Sequence, residues 1–255
     1  MSATTRKPST FVLRTPDRPL APRLVLTAAQ ELALLARILF REGYDDHLAG
    51  HITYKQDDGT FLVNPFGLPW DEVSASDIMR MDADGNALDG PWTITQAIPL
   101  HVELHRARHD VTVAVHNHPR WSTLWAGMVR EPGIYDQTSA LFSGEVAVLK
   151  EYWGAVDDKD NAQDVVRAMG SANVALLANH GTLIAGKDID QVYLRAMSFE
   201  WRCRQAWHIE AVGGGTEMAP EVAAAFGGTF NTNTFPGLFH AMARREIRRD
   251  PSVLN

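Results

Sequence analysis

The chain has 255 residues, 45% hydrophobic and 22% charged, with a formal net charge of −7. That balance suits one large globular domain whose core needs no covalent staples, and it excludes a disordered chain or a repeat array. The negative charge argues against nucleic acid as a partner, and no stretch has the roughly 18 consecutive apolar residues of a membrane-spanning helix. Cys203 is the single cysteine, so no intrachain disulfide can form, which fits a reducing, cytoplasmic compartment.

Residues 1–24 carry Arg6, Lys7, Arg14, Arg18 and Arg23, with Pro8, Pro16, Pro19 and Pro22 among them. The segment lacks the apolar run of a secretory signal and reads as a flexible or subunit-embracing arm. Thr27-Ala28-Ala29-Gln30 has capping-box spacing. Leu32, Leu35, Ile38 and Leu39 then repeat at helical period up to Gly43. Ile52-Thr53-Tyr54, the turn Asp57-Asp58-Gly59 and Phe61-Leu62-Val63 predict a hairpin. Pro65-Phe66-Gly67 is a loop, Ser76-Asp77 opens a short helix, and Asp82-Ala83-Asp84-Gly85 is a turn between strands.

A helix is expected from Gln96 to Arg108, with Pro99 tolerated in its first turn. Val111–Val115 reads as a buried strand and Trp121–Met128 as a helix. Val146–Leu149, Val174–Leu177 and Thr182–Ala185 are further strands, with a helix from Asn161 to Met169 closed by Gly170. A long helix from Ile189 to Val212 stops at Gly213-Gly214-Gly215, and a polar, Gly-rich tail follows with a short helix at Leu238–Arg248. The pattern predicts one domain over 25–215 and a C-terminal extension over 216–255. In that extension Phe226, Phe230, Phe235 and Phe239 suit either closure over a pocket or contact between subunits. The fold class is α/β, with a mixed or mainly antiparallel sheet covered by helices.

The sharpest chemical signal is His116-Asn117-His118 where a strand ends. Alternate strand residues share a face, so these two imidazoles point into one space, as a divalent transition metal requires. Asn179-His180-Gly181 ends a second buried strand. By the residues alone, His180 is either a third ligand or a turn histidine hydrogen-bonded to backbone. His101 and His105, one helical turn apart, also have metal spacing, although His101 reads as a packing and hydrogen-bonding residue. Trp121, Trp125, Trp201, Cys203 and Trp207 read as core or subunit contacts.

The motifs Ala49-Gly50-His51-Ile52-Thr53, Asn64-Pro65-Phe66-Gly67-Leu68, Asp77-Ile78-Met79, Ile98-Pro99-Leu100-His101 and Arg108-His109-Asp110-Val111 precede His116-Asn117-His118-Pro119. Asn179-His180-Gly181-Thr182-Leu183-Ile184-Ala185-Gly186 completes the series. In this order and spacing the chain resembles the class II aldolase/adducin family from Thr27 to Val212. The resemblance implies an αβα three-layer fold with a mostly antiparallel central sheet and a homotetramer with active sites near subunit interfaces. It also implies that His116, His118 and His180 bind one divalent metal ion per chain (Zn, Mn, Co or Fe).

The departures from that family bear on function. Its sugar-phosphate aldolases carry a catalytic, metal-binding Glu four residues before the position of His101, where this chain has Ala97. They cradle the phosphate with Gly-Asn and two serines, where this chain has Gly50-His51 and Thr95-Gln96. The altered pattern is similar to the branch that decarboxylates hydroxylated aromatic acids. It implies a metal-dependent lyase acting on a small unphosphorylated hydroxy, oxo or hydroxyaromatic carboxylic acid, by decarboxylation in preference to aldol cleavage. Gly50, His51, Asn64, Gly67, Thr95 and Gln96 are the expected substrate-side residues. Tyr152, Tyr135 and His51 are the candidate proton donors, with His51 suited to hydrogen-bond a carboxylate or phenolate oxygen. Against this, His51 has an alternative role in holding the turn beside Asp57. Glu145 is a candidate replacement for the missing carboxylate ligand. Two other functions fit the family: a three-histidine Fe(II) oxygenase, or a non-catalytic adducin-like module.

Overall fold

The computed structural model describes residues 21–233 and 237–255. Most of the basic arm and the side chains of Phe230 and Phe235 therefore lie outside the described residues. Helix α1 (Ala28–Arg41) starts at the expected capping box. Gln30 N–H donates to Thr27 Oγ1 at 3.2 Å, and Thr27 N–H donates to Gln30 Oε1 at 3.0 Å. Strands β1 (His51–Lys55) and β2 (Phe61–Val63) form the predicted hairpin. They are followed by β3 (Met79–Met81) and β4 (Ala87–Asp89).

Helix α2 spans Pro99–Ala107 and begins three residues later than the expected Gln96. A start at Gln96 would put the proline deeper in the first turn. At the first helical position its missing N–H removes no bond and its ring meets no preceding carbonyl. Strand β5 (Val113–Asn117) runs on through His116, and α3 (Ser122–Met128) follows. Then come β6 (Val146–Leu149), α4 (Lys159–Met169), β7 (Val174–Leu177), β8 (Gly181–Gly186) and α5 (Ile189–Ala211).

The described strands form one sheet in the order β4-β3-β2-β1-β5-β8-β7-β6, antiparallel throughout except for the β6–β7 pair. That pair is parallel because α4 carries the chain back across the sheet between the two strands. Strand alternation divides the core. Val113, Val115, Val174, Leu176 and Ile184 join the cluster built with α1, α3 and α5. Ala114, Ala175, Leu177, Leu183 and Ala185 join the one built with α2 and α4. The expected αβα three-layer architecture is therefore present.

One element contradicts the sequence reading. The tail after Gly215 contains a helix α6 (Pro220–Asn233) before α7 (Leu238–Arg249). Gly227 and Gly228 disguised it, yet Gly227 is there for close contact: a Cβ would lie 2.1 Å from Ser143 Oγ. Phe226 packs with Ala140, Leu141 and Leu194, and Phe239 and Ala243 join the main core. The described extension thus lies on its own domain, on the face away from α2.

Thr27→Ala removes one capping bond from an exposed helix start and should lower stability by about 1 kcal/mol in urea unfolding. An unchanged midpoint would show that the capping box contributes nothing to α1.

Candidate metal centre

Strand register assembles the centre. In β1–β5 pairing His51 lies directly opposite His116, and in β5–β8 pairing Asn117 lies opposite Thr182. Because β7 and β8 form a tight hairpin with Leu177 opposite Gly181, His180 sits in its turn, beside the end of β5. Asn179 turns the chain there with φ 54°. Gly181 is required for close approach, since a Cβ would fall 2.5 Å from both Asn117 O and His118 Cδ2. The rings of His116, His118 and His180 consequently converge. Their centroids are 4.8 to 5.2 Å apart, and one potential ligand nitrogen from each lies within 4.8 Å of the others.

The outward hydrogen bonds of these rings suit a bound cation. His116 Nδ1–H donates to Thr182 O at 2.9 Å, which leaves Nε2 for the centre. His118 Nδ1 is 2.8 Å from Asp46 Oδ2, and its Nε2 is buried with no hydrogen-bond partner. A buried imidazole nitrogen without a partner is costly unless something else coordinates it. A carboxylate behind a ligating histidine is also the usual device for fixing its ring and tautomer. The residues fit a divalent ion. Burial works against the charge on Asp46, but hydrogen bonds from His47 and His118 overcome it and hold the carboxyl below its ordinary range. Asp46 was missed in the sequence reading, because nothing in its local pattern separates it from a loop aspartate.

Burial lowers the pKa of His116 and, with help from the charge of His118, brings His180 to about 4. These two rings are therefore neutral, as metal binding requires. The start of α3, just beyond His118, is tied down by Glu200 of α5, which accepts from the N–H groups of Trp121 and Ser122 at 2.7 and 2.9 Å. Burial raises the Glu200 carboxyl to about 7.

His51 stands over the centre, its ring 4.8 Å from that of His116 and far along β1 from Asp57, so it does not hold that turn. Behind it runs a buried chain. His51 Nδ1 is 2.8 Å from His101 Nε2, and Thr53 Oγ1 is 2.6 Å from His101 Nδ1 and 2.8 Å from His105 Nε2. His105 Nδ1 is 3.3 Å from Val111 O. Two residues along a strand and four along a helix both advance about 6 to 7 Å, so β1 and α2 interdigitate these side chains. The reading of His101 as a packing and hydrogen-bonding residue agrees with this.

The other expected site residues divide. Strand β6 runs parallel to β7, so the residues after Leu149 emerge at the histidine edge, and the Tyr152 ring lies 6.5 Å from that of His180 with the residue 63% exposed. Glu145, at the other end of β6, is exposed and accepts from Ser171 Oγ at 3.5 Å. It is a strand length from the centre and does not replace the missing carboxylate. Tyr135 packs against Gly133 and Gly215 near Glu210 and so lies at the end of α5, not among the three histidines. Asn64 is buried and serves the backbone: its Oδ1 accepts from Ile52 N at 2.7 Å, which positions His51. Gly50, with φ 99°, faces the amide of Asn117, where a Cβ would clash at 2.1 Å. Gly67 adopts φ 96° in an exposed loop, and Thr95 and Gln96 lead into α2 ahead of Ala97. Trp125 and Cys203 are core residues, whereas Trp201 and Trp207 are partly exposed on α5.

An αβα domain with a histidine cluster at one sheet edge defines a class, and comparison with known proteins agrees. Residues 30–207 match the Class II Aldolase and Adducin N-terminal domain, so the chain belongs to that family. A 3,4-dihydroxyphthalate decarboxylase from Arthrobacter keyseri is 31% identical over 226 residues, covering 81% of this chain and 90% of the relative. A 4-hydroxy-3-prenylphenylpyruvate oxygenase/4-hydroxy-3-prenylbenzoate synthase from Streptomyces roseochromogenus subsp. oscitans is 29% identical over 142 residues, covering 54% of this chain and 51% of that one. The crystal structure of an aldolase II superfamily protein from Pseudomonas syringae superposes with a TM-score of 0.78 at 27% identity, covering 88% of this chain and 94% of the other. No helix among the described residues is long and apolar enough to cross a membrane.

Asp46→Asn should weaken Zn²⁺ binding about 10- to 100-fold in chelator competition without unfolding the chain. An unchanged affinity would remove Asp46 from the centre. A second prediction concerns pH. Burial holds His105 and His180 at about 4 in the folded protein, against the ordinary 6.5. Between those values the unfolded chain takes up protons that the folded chain refuses. The metal-free protein should therefore keep this stability above pH 6.5 and lose it as pH falls towards 4. Urea unfolding across that range should show the decline, and a flat profile would contradict it.

Proposed function

We propose that this chain is a metal-dependent carbon–carbon lyase that decarboxylates a small, unphosphorylated hydroxyaromatic carboxylic acid. The observation that carries the reading is the convergence of three imidazoles, one with a buried unpartnered Nε2, with no carboxylate in the ligand group among the described residues. Likeness to a 3,4-dihydroxyphthalate decarboxylase over most of both chains supports decarboxylation. Ala97, with no side-chain oxygen, argues against the proton shuttling of a sugar-phosphate aldolase, and Gly50-His51 and Thr95-Gln96 lack the expected phosphate cradle.

In this reading His116, His118 and His180 hold the cation, and Asp46 and Thr182 O orient two of the three rings. A divalent ion bound there supplies Lewis acidity that disperses charge built up as the C–C bond breaks. Gly50, Gly67, Thr95 and Gln96 border the substrate, and buried Asn64 keeps His51 in place beside it. As the carboxylate departs as CO₂, its bonding pair remains on the ring carbon. Tyr152 then donates its hydroxyl proton to that carbon and recovers one from solvent, to which it is open. Tyr135 is a donor only if another subunit's centre lies beside it. The exposure of Tyr152 next to His180 suits a homotetramer in which a neighbouring subunit closes the site. The likeness to an oxygenase favours a second reading, Fe(II) held by the same histidines and consuming O₂.

The test is a screen of hydroxylated aromatic and 2-oxo acids for CO₂ or aldehyde release by metal-loaded protein, with and without chelator. CO₂ release that chelator abolishes and that consumes no oxygen is expected. His116→Ala should lose metal and activity together, whereas Tyr152→Phe should retain metal and turn over about 100-fold more slowly. Activity in the His116 variant would overturn the site, and stoichiometric oxygen uptake would replace the lyase with the oxygenase.

A further inference from the structure

The buried chain behind His51 permits one arrangement of protons. The rings of His51, His101 and His105 are all buried, and a buried imidazole without a carboxylate partner is neutral, so each carries a single N–H. Val111 O can only accept, which places the His105 proton on Nδ1 and leaves its Nε2 bare. The Thr53 hydroxyl has one proton and donates it to that Nε2. Its oxygen then accepts from His101 Nδ1–H. His101 Nε2 is bare in turn and accepts from His51 Nδ1–H. The network thus assigns each tautomer, and the last nitrogen, His51 Nε2, is left with a lone pair outside this chain of hydrogen bonds.

We infer that the chain from Val111 O through His105, Thr53 and His101 makes His51 Nε2 a fixed hydrogen-bond acceptor, so that the site selects a substrate presenting a hydroxyl proton to it. This reverses the expectation that His51 donates to a carboxylate or phenolate oxygen. His101, Thr53 and His105 are positioning residues and do not touch the substrate. Thr53 is the link on which the direction depends, because its single hydroxyl oxygen both accepts from His101 and donates to His105. The inference rests on the proposed function only in taking the histidine centre as the place where substrate binds.

The experiment uses the full-length, Zn²⁺-loaded protein labelled with ¹⁵N-histidine. Nitrogen shifts should show His51 as the Nδ1–H tautomer in the native chain and in Thr53→Ser. Thr53→Val keeps the shape but removes the hydroxyl, and should release His51 to the Nε2–H form with zinc content unchanged. Binding provides the second readout, with 3,4-dihydroxybenzoate compared against its two analogues in which one hydroxyl is replaced by fluorine, which cannot donate. One replacement should weaken binding about tenfold in the native chain and in Thr53→Ser, and much less in Thr53→Val. An Nε2–H His51 in the native chain overturns the inference, as does a Thr53→Val variant that folds with tautomer and binding ratio unaltered. Should Thr53→Val fail to fold, the native tautomer alone decides. Neither readout needs turnover. A protein that cleaves no acid leaves the relay standing, and one that decarboxylates with His51 in the Nε2–H form overturns the relay alone.

Discussion

The centre depends on the register of three neighbouring strands, β1, β5 and β8. His51 opposite His116, and Asn117 opposite Thr182, bring imidazoles from distant parts of the chain to one edge of the sheet. A slip of one residue between β1 and β5 would send His51 and Thr53 to the opposite face, among the apolar side chains packed under α1 and α5. Register is held by the alternation of the strands themselves, since Val113 and Val115 require one helical layer and Ala114 the other. The same apolar pattern that builds the core therefore aims the histidines.

Crowding this many imidazoles is tolerable because burial keeps most of them neutral and because both nitrogens of His101 and His105, and Nδ1 of His51, His116 and His118, have defined partners. Thr182 O, Val111 O and the carboxylate of Asp46 anchor the outer nitrogens, and the Thr53 hydroxyl joins two of the rings. A half-satisfied buried network would cost more than an apolar core. A buried imidazole nitrogen without a hydrogen-bond partner, His118 Nε2, faces the place where the three imidazoles converge. The polar chain also accounts for a layer boundary that looks odd at first sight: α2 turns two histidines, not two leucines, toward β1. Four residues of helix match two residues of strand in length, so each histidine finds a partner.

The fold is shared with proteins of different chemistry, so its architecture does not choose a reaction. What distinguishes this chain lies in a few substitutions around a retained histidine set. Ala97 removes a carboxylate, and His51 brings a bulky ring to where a small amide stands in the aldolases that the sequence resembles. His51 could not occupy that place alone. It is held from below by Asn64, which bonds Ile52 N, and from behind by His101.

Much of this protein is determined by local pattern. Thr27 and Gln30, the Asp57-Asp58-Gly59 turn, the β-branched runs and Gly170 specify where elements begin and end, and the predicted strands and helices are found, with helix α6 in addition. His116 and His118 announce themselves because spacing along a single strand decides that they share a face. Helix α6 escaped because internal glycines resemble a linker until a neighbouring side chain shows why no Cβ fits. Tertiary structure alone decided that Asp46 stands behind His118, that Glu145 is a strand length from the three converging histidines, and that Thr53 links two histidines of α2. Those relations depend on which strands pair and in what register. Pairing is set by cooperative burial across the whole sheet, and no periodicity within one segment encodes it.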